Sequence, residues 1–220
     1  IESVISKSQI IEARNEAVTT VAMSKPSDST KEGLQFVEIK GIEPPFPLVG
    51  EFKFSDGKSF DFKSLDNNGI VVAPLLLEKL DLKIGDKLKI GETDFEIRAT
   101  FDEEPGGQSG FRLGPRVFMQ KKAFEETGLN RSNSRVRRRI LYRTSENPTE
   151  LVKQLRKAFE GTILTVQSYR ETQENISEQF TRTENYLSLT GLLILVLGGV
   201  GVWNVARVFV EQKRKTVAVL

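Results

Sequence analysis

The chain has 220 residues and a formal net charge of +2, and it contains neither histidine nor cysteine. The small net charge argues against a nucleic-acid partner. The two missing side chains are the usual general base and the thiol nucleophile of enzymes, so we expect no catalysis and no cofactor. The absence of cysteine fits an extracytoplasmic domain without disulfides and fits a reducing compartment equally well.

The first half of the chain is dominated by strand patterns separated by turn residues. Residues 10–23 and 34–42 carry the β-branched and apolar side chains of buried strands. Asp56 and Gly57 predict the turn of a hairpin over residues 51–62. A helix end is expected at 1–8, further strands at 70–73, 87–90, 95–101 and 116–120, short helices at 74–80 and 121–127, and a loop at 104–110.

Residues 134–166 predict a strand, a helix and a second strand. Arg137, Arg138 and Arg139 alternate between the two faces of the first strand, which favours a solvated edge over a ligand site. The helix is predicted to begin at Pro148, with Asn147 as its cap and with apolar residues at 151, 155 and 159 on one face. The second strand is predicted at 163–166. Residues 48–130 form a separate β-rich insert in this interpretation.

Residues 187–206 form an uncharged apolar stretch, LSLTGLLILVLGGVGVWNVA. A helix of this length fits a hydrocarbon core of about 30 Å, so we predict a transmembrane helix over 187–210. The alternative, a buried helix of a soluble core, is usually shorter and amphipathic. Basic residues accumulate on the cytoplasmic side of a span, which places residues 211–220 inside and residues 1–186 outside.

An apolar stripe precedes the span and runs into it. Its members recur at the spacing of one helix face: Tyr169, Thr172, Ile176, Phe180 and Thr183. Neither glycine nor proline occurs between residues 168 and 190, which favours one continuous helix with a stalk at 168–186. A kinked pair of helices, with the stripe packed on the body of the protein, is the alternative.

The predicted span has a small-residue face. Gly191, Gly198 and Gly201 fall within about 80° of one another on a helix, which permits close contact with a neighbouring helix. Asn204 is the strongly polar residue of the span and is suited to a hydrogen bond with such a neighbour. Alternatively, Trp203, Asn204 and Arg207 mark the inner membrane interface.

Four sequence features together resemble the FtsX/MacB-type ABC transporter permeases, especially the YbbP-like members. The first is VVAPLLLEKLDLKIGDKLKIG followed by FEIRATFDEEPG, and the second is PFPLVGEF at 45–52. The others are the long helix entering a glycine-rich span and the segment EQKRKTVAVL directly after it. Because the chain begins with Ile1 rather than methionine, we also expect it to be a piece of a longer protein.

The resemblance implies an α+β extracytoplasmic domain followed by a long helix that becomes a transmembrane span. A porter-like α/β part at 1–47 and 131–167 would be interrupted by the insert at 48–130. The protein would lie in the bacterial inner membrane, with residues 1–186 periplasmic. Its expected partners are a cytosolic ABC ATPase, the lipid bilayer and the other transmembrane helices of the same permease, and a periplasmic protein or lipoprotein stays open. The ATPase-coupling residues would be Lys213, Arg214, Lys215, Val217 and Leu220.

The function implied by this resemblance is transmission of ATPase-driven motion to the periplasmic side, for export or extraction of a substrate. The alternative is an extracytoplasmic sensor domain of a receptor anchored by a C-terminal span. Two local patterns are not expected to form sites. Ser55 and Lys58 have an S-x-x-K spacing but flank a hairpin turn, and residues 102–104 lack a metal-like spacing and favour a solvated loop.

Overall fold

In the computed structural model, described residues are 11–104, 113–130, 135–145 and 147–217, with the backbone alone at 170, 172–179, 182 and 212–217. The helix end predicted at 1–8 and most of the loop predicted at 104–110 lie outside them. The chain consists of two compact units, residues 1–146 and 147–220.

The first unit contains seven strands and two α-helices within its described residues. The strands are β1 (Ile11–Pro26), β2 (Gln35–Ile42), β3 (Gly69–Val72), β4 (Lys87–Ile90), β5 (Thr93–Thr100), β6 (Arg116–Gln120) and β7 (Arg137–Thr144). The helices are α1 (Pro74–Leu80) and α2 (Lys121–Glu126), and a 3-10 helix occupies Phe62–Leu65. Apart from the hairpin predicted over residues 51–62, the strands and helices predicted for the described residues of this unit are therefore confirmed, with ends that shift by a few residues.

Six of these strands close into a barrel. The sheet order is β2-β6-β3-β5-β4-β1-β7, and an additional pairing joins β2 to β1. That antiparallel pairing runs from Ala17 opposite Ile42 to Ser24 opposite Gln35 and completes the ring. β7 lies outside the ring, antiparallel to the first half of β1. Closure leaves the six strands with fewer unpaired edges.

The barrel interior is the main hydrophobic core. Side chains alternate across each strand, so one face of every strand points inward. All six barrel strands contribute fully or nearly fully buried residues to this core, among them Val18, Val37, Ile70, Ile90, Phe95 and Val117. Leu76 and Phe124 add apolar side chains from α1 and α2.

A second core covers part of the outer barrel wall. Phe118 and Val71 point outward from adjacent strands and pack with Phe52 and Phe101. The Phe118 ring lies 4.9 Å from both Phe52 and Phe101, measured between centroids. Aromatic pairs of this kind add about 0.5–1.5 kcal/mol beyond their buried area. The segment 46–65 is therefore held against the barrel by aromatic packing.

The hairpin predicted over residues 51–62 is present in reduced form. Gly57 has a φ of 84°, which suits the predicted turn. The ladder, however, is a single bridge between Lys53 and Ser59, because the phenylalanine side chains of this segment pack on the wall and the 3-10 helix begins at Phe62.

The two parts predicted on either side of the border between residues 47 and 48 share one sheet. β2 precedes it and β6 follows it, and the two run parallel with Ile39 opposite Val117. The division into a porter-like part and an insert stays a prediction.

The second unit contains two helices, α3 (Thr149–Ala158) and α4 (Tyr169–Val217). α3 begins one residue later than predicted, and the Asn147 side chain accepts a hydrogen bond from the Thr149 amide at 3.3 Å. The strand predicted at 163–166 is wrong: these described residues have no strand pairing, and Ile163 is fully exposed. Its β-branched residues favour a strand, but a strand requires a partner edge.

Candidate functional site

The candidate functional site is the helix α4, which continues without interruption for 49 residues. At a rise of 1.5 Å per residue it is about 74 Å long. The most apolar stretch within Thr183–Glu211 has a mean hydropathy of 2.0, and none of that stretch is buried. It is long and apolar enough to cross a membrane. The continuous helix predicted from the sequence is therefore observed.

A capping box begins this helix. The Ser168 hydroxyl accepts a hydrogen bond from the Glu171 amide, and the Glu171 carboxylate accepts one from the Ser168 amide, each at 3.3 Å. These reciprocal bonds satisfy two donors at the helix start. The Ser-x-x-Glu spacing was visible in the sequence and was missed by the prediction.

Arg156 connects α3 to the start of α4. Its guanidinium donates to the Glu171 carboxylate at 2.5 Å and to the Val166 carbonyl at 2.9 and 3.1 Å. The Arg156 guanidinium, followed by the Ser168 amide, holds the pKa of the Glu171 carboxyl below its usual value. Arg156, which lies in α3, thus binds both the end of the connecting segment and the first turn of α4 through charged hydrogen bonds. Sequence spacing gave no indication of this contact.

The described side chains of the predicted stripe and packing face are open to solvent in this single chain. Tyr169, Phe180 and Thr183 are exposed. A Cβ added to Gly191, Gly198 or Gly201 would meet no atom within 4 Å beyond the adjacent backbone of its own helix, and Asn204 is also exposed. Of Thr172 and Ile176 the structure gives the backbone, which is helical. These residues share one helix, and their roles stay predictions.

The predicted coupling residues lie at the C-terminal end of α4. The backbone of Lys213, Arg214, Lys215 and Val217 is helical, whereas Leu220 lies outside the described residues. Just before them, Arg207 pairs with Glu211 one turn on, at 3.2 Å. The basic end is therefore continuous with the apolar section.

A cluster of charged residues lies in the first unit, where β1 meets α2. Lys121 binds Glu16 at 2.9 Å and Glu43 at 3.2 Å, and Arg14 binds the same two carboxylates at 2.9 and 3.1 Å. Burial alone would raise the pKa of Glu16, but hydrogen bonds and charge attraction from Lys121 and Arg14 lower it overall. The cluster joins β1, the connection after β2 and α2.

Glu16→Gln is expected to lower the free energy of unfolding by about 1.5–3 kcal/mol near neutral pH, the usual worth of charged hydrogen bonds. Because the folded-state pKa of Glu16 lies below its ordinary value of 4.5, its stabilisation is present above that value and is lost as the pH falls through the folded-state pKa. The difference between wild type and variant should therefore shrink on acidification. Urea unfolding between pH 3 and 7 measures it, and a difference independent of pH would contradict the assignment.

Glu104 belongs to a second ion network and corrects the prediction of a solvated loop. Its side chain is 2% exposed and binds Arg116 and Lys40, the latter at 2.6 Å. Arg116 also binds Glu38 at 2.8 Å, and the Lys40 ammonium lies 5.6 Å from the centre of the Phe118 ring. A buried carboxylate needs such partners; these residues are distant in sequence, so the prediction missed them.

Ser55 and Lys58 are bound to different carboxylates. The Ser55 hydroxyl donates to Asp102 at 2.6 Å, and the Lys58 ammonium binds Asp56 at 2.7 Å. Both side chains lie at the exposed turn of the reduced hairpin. In this arrangement the lysine is not positioned as a base for the serine.

Comparison with known protein families identifies the family to which this domain belongs. The model of the MacB-like periplasmic core domain matches residues 3–160. The chain belongs to this family. The MacB-like core thus includes the barrel, β7 and α3, and it ends before α4 begins. The resemblance inferred from the sequence motifs is confirmed.

Individual proteins and solved structures are also similar to this chain. The uncharacterized ABC transporter permease YbbP of Escherichia coli is 23% identical over 192 residues, which cover 84% of this chain and 23% of the relative. The periplasmic region of MacB from Actinobacillus actinomycetemcomitans superposes with a TM-score of 0.53 at 13% identity, covering 80% of each chain. The extracellular domain of the noncanonic ABC-type transporter YknZ from Gram-positive bacteria has a TM-score of 0.49 at 12% identity, covering 71% of this chain and 82% of that one.

The predicted fold class is also confirmed. A mixed α/β domain of the MacB periplasmic type is followed by a long apolar helix. The chain is a MacB-like periplasmic core domain with an attached apolar helix. It spans 23% of the length of the YbbP relative.

Proposed function

We propose that this chain transmits ATPase-driven motion across the membrane to the periplasmic side, within a larger permease subunit. The observation that supports this most strongly is the uninterrupted helix α4. A helix without a flexible joint moves as one body, so a displacement at its basic end also displaces its capped start. The work at the outer end would be export or extraction of a substrate.

The outer end of α4 is suited to pass such a displacement on. Arg156 binds both Glu171 and the Val166 carbonyl, so α3 would follow the start of α4. α3 belongs to the MacB-like core matched by the family model. In this proposal the junction of Arg156 with Glu171 is the first point at which the core receives motion.

The inner end would contact a cytosolic ABC ATPase. Lys213, Arg214, Lys215, Val217 and Leu220 are the proposed coupling residues, and ATP hydrolysis would take place in that partner. Gly191, Gly198, Gly201 and Asn204 would pack against other transmembrane helices of the permease within the lipid bilayer. The YbbP relative is named as an ABC transporter permease, which supports this function over the sensor alternative. A periplasmic protein or lipoprotein is the proposed further partner.

Orientation in the inner membrane provides the experimental test. The chain has no cysteine, so Lys58→Cys and Val217→Cys each introduce a single thiol. In intact cells an impermeant maleimide is expected to label position 58, which lies on an exposed turn, and to leave position 217 unlabelled. Both positions should react after permeabilisation, which is the control. Labelling at 217 with protection at 58 would reverse the orientation and remove the proposed function.

A further inference from the structure

β7 forms one end of the sheet as far as the described residues define it. β7 is the last strand in the sheet order, and within the described residues it pairs with β1 alone. It is eight residues long, and most of its side chains are exposed, including Leu141 at 46%. A strand at the end of a sheet presents backbone donors and acceptors to an incoming strand.

Two arginines at the N-terminal end of β7 lie opposite uncharged residues of its partner strand. Arg137 and Arg138 lie opposite Thr19 and Val18 of β1, neither of which carries a charge. Further along the strand, Arg143 binds Glu12 at 3.0 Å. At the N-terminal end of β7, therefore, β1 places no carboxylate in the cross-strand positions where opposite charges contribute about 0.2–1 kcal/mol per pair.

We propose that β7 is a docking edge for an extended acidic segment of another protein. Such a segment would add as a strand beside β7, with its backbone bonding to the outer edge of β7 and its carboxylates beside Arg137 and Arg138. Leu141 would lie beside an apolar residue of the incoming strand. This is β-strand addition with charge complementarity as the source of specificity. The inference concerns the outer domain and stands whether or not the chain couples to an ATPase.

The alternation of the arginines favours a strand over other acidic partners. Arg137 and Arg138 are successive residues of a strand and point to opposite faces of the sheet. A flat anionic membrane surface would meet one face, whereas an added strand places side chains on both. A second copy of β7 would bring arginine against arginine and is disfavoured by repulsion. The same charges that discourage unspecific pairing therefore select an acidic strand.

The test measures binding of the fluorescein-labelled peptide Glu-Glu-Thr-Val-Val-Thr-Glu-Glu to the full chain in phosphatidylcholine nanodiscs. Its adjacent glutamates place carboxylates on both faces of an added strand, beside Arg137 and Arg138, and its central valines lie beside Leu141 in either strand direction. Fluorescence anisotropy should give saturable binding that weakens at least tenfold in the double variant Arg137→Glu, Arg138→Glu. The double variant Lys25→Glu, Lys89→Glu is the matched control, because these lysines lie opposite each other on the paired strands β1 and β4. It makes the same change of charge away from the outer edge of β7 and should bind as wild type does.

A second peptide separates strand addition from charge attraction. Methylation of alternate backbone amides keeps the glutamates but removes donors needed for pairing, so this peptide should bind at least tenfold more weakly. Hydrogen exchange in residues 137–144 should slow with the unmodified peptide alone. Equal binding of the methylated peptide, or an equal loss in the lysine variant, would overturn the proposal. Recruitment to phosphatidylglycerol vesicles without peptide binding would also overturn it, in favour of a lipid surface.

Discussion

Replacing Gln179 by proline is expected to abolish the periplasmic work of the permease while leaving its assembly intact. Residue 179 lies within α4, ahead of the interval Thr183–Glu211 that is suited to the membrane. Proline removes the backbone donor of its own residue and clashes with the preceding turn, at a cost of about 3 kcal/mol. The helix would kink or break there, and motion at its basic end would no longer reach Glu171 and Arg156.

The measurement compares the proline variant with Gln179→Ala in the full-length permease. Alanine removes the same side chain and keeps the helix, so it should behave as wild type. For both variants we expect normal membrane levels and normal co-purification of the ATPase, and for the proline variant alone a loss of periplasmic activity in a complementation assay. Normal activity of the proline variant would mean that α4 is a tether and not a lever.

Phe118→Ala is expected to cause the largest loss of stability among single changes in the second core, which covers part of the barrel wall. The Phe118 side chain is fully buried, and its ring contacts those of Phe46, Phe52 and Phe101 at centroid distances of 5.8, 4.9 and 4.9 Å. Truncation of a buried phenylalanine costs about 3–5 kcal/mol, since it removes buried surface and leaves a cavity. Natural domains are stable by about 5–15 kcal/mol, so much of the margin would be lost.

Phe54→Ala is the matched control, because Phe54 belongs to the same cluster but is partly exposed and has one ring contact, to Phe60 at 5.8 Å. Its loss should stay below about 1.5 kcal/mol. Pulse proteolysis of the full chain in urea measures both variants. Equal small losses would show that the segment 46–65 is not anchored on the barrel wall through Phe118.

Local chemistry made much of the fold predictable. Some signals act over a few residues, and they correctly predicted the elements that they mark. These are the turn at Asp56 and Gly57, the start of α1 at Pro74 and the helix α4, which the apolar period before residue 187 indicates. Closure of the barrel could not be predicted in this way. It depends on the register of β1 against β2 and β4, which is set by packing of the whole core.

The errors have the same origin. Residues 163–166 have the composition of a strand, but strand formation needs an edge that composition does not supply. Glu104 has the composition of a loop, yet Arg116 and Lys40 from other strands allow it to be buried. The helix of the candidate site was found because its stripe is periodic, whereas Arg156 was missed because its partner Glu171 lies 15 residues away.

β1 also determines how the first unit responds to mechanical stress. Ala17, Val18 and Thr19 pair with β2 on one edge and with β7 on the other, so three consecutive residues belong to both the barrel and the outer pair of strands. A pull along β7 would stress all the hydrogen bonds of the β1–β7 ladder at the same time, because they run perpendicular to antiparallel strands. The barrel and β7 would consequently move as a single body under such a load.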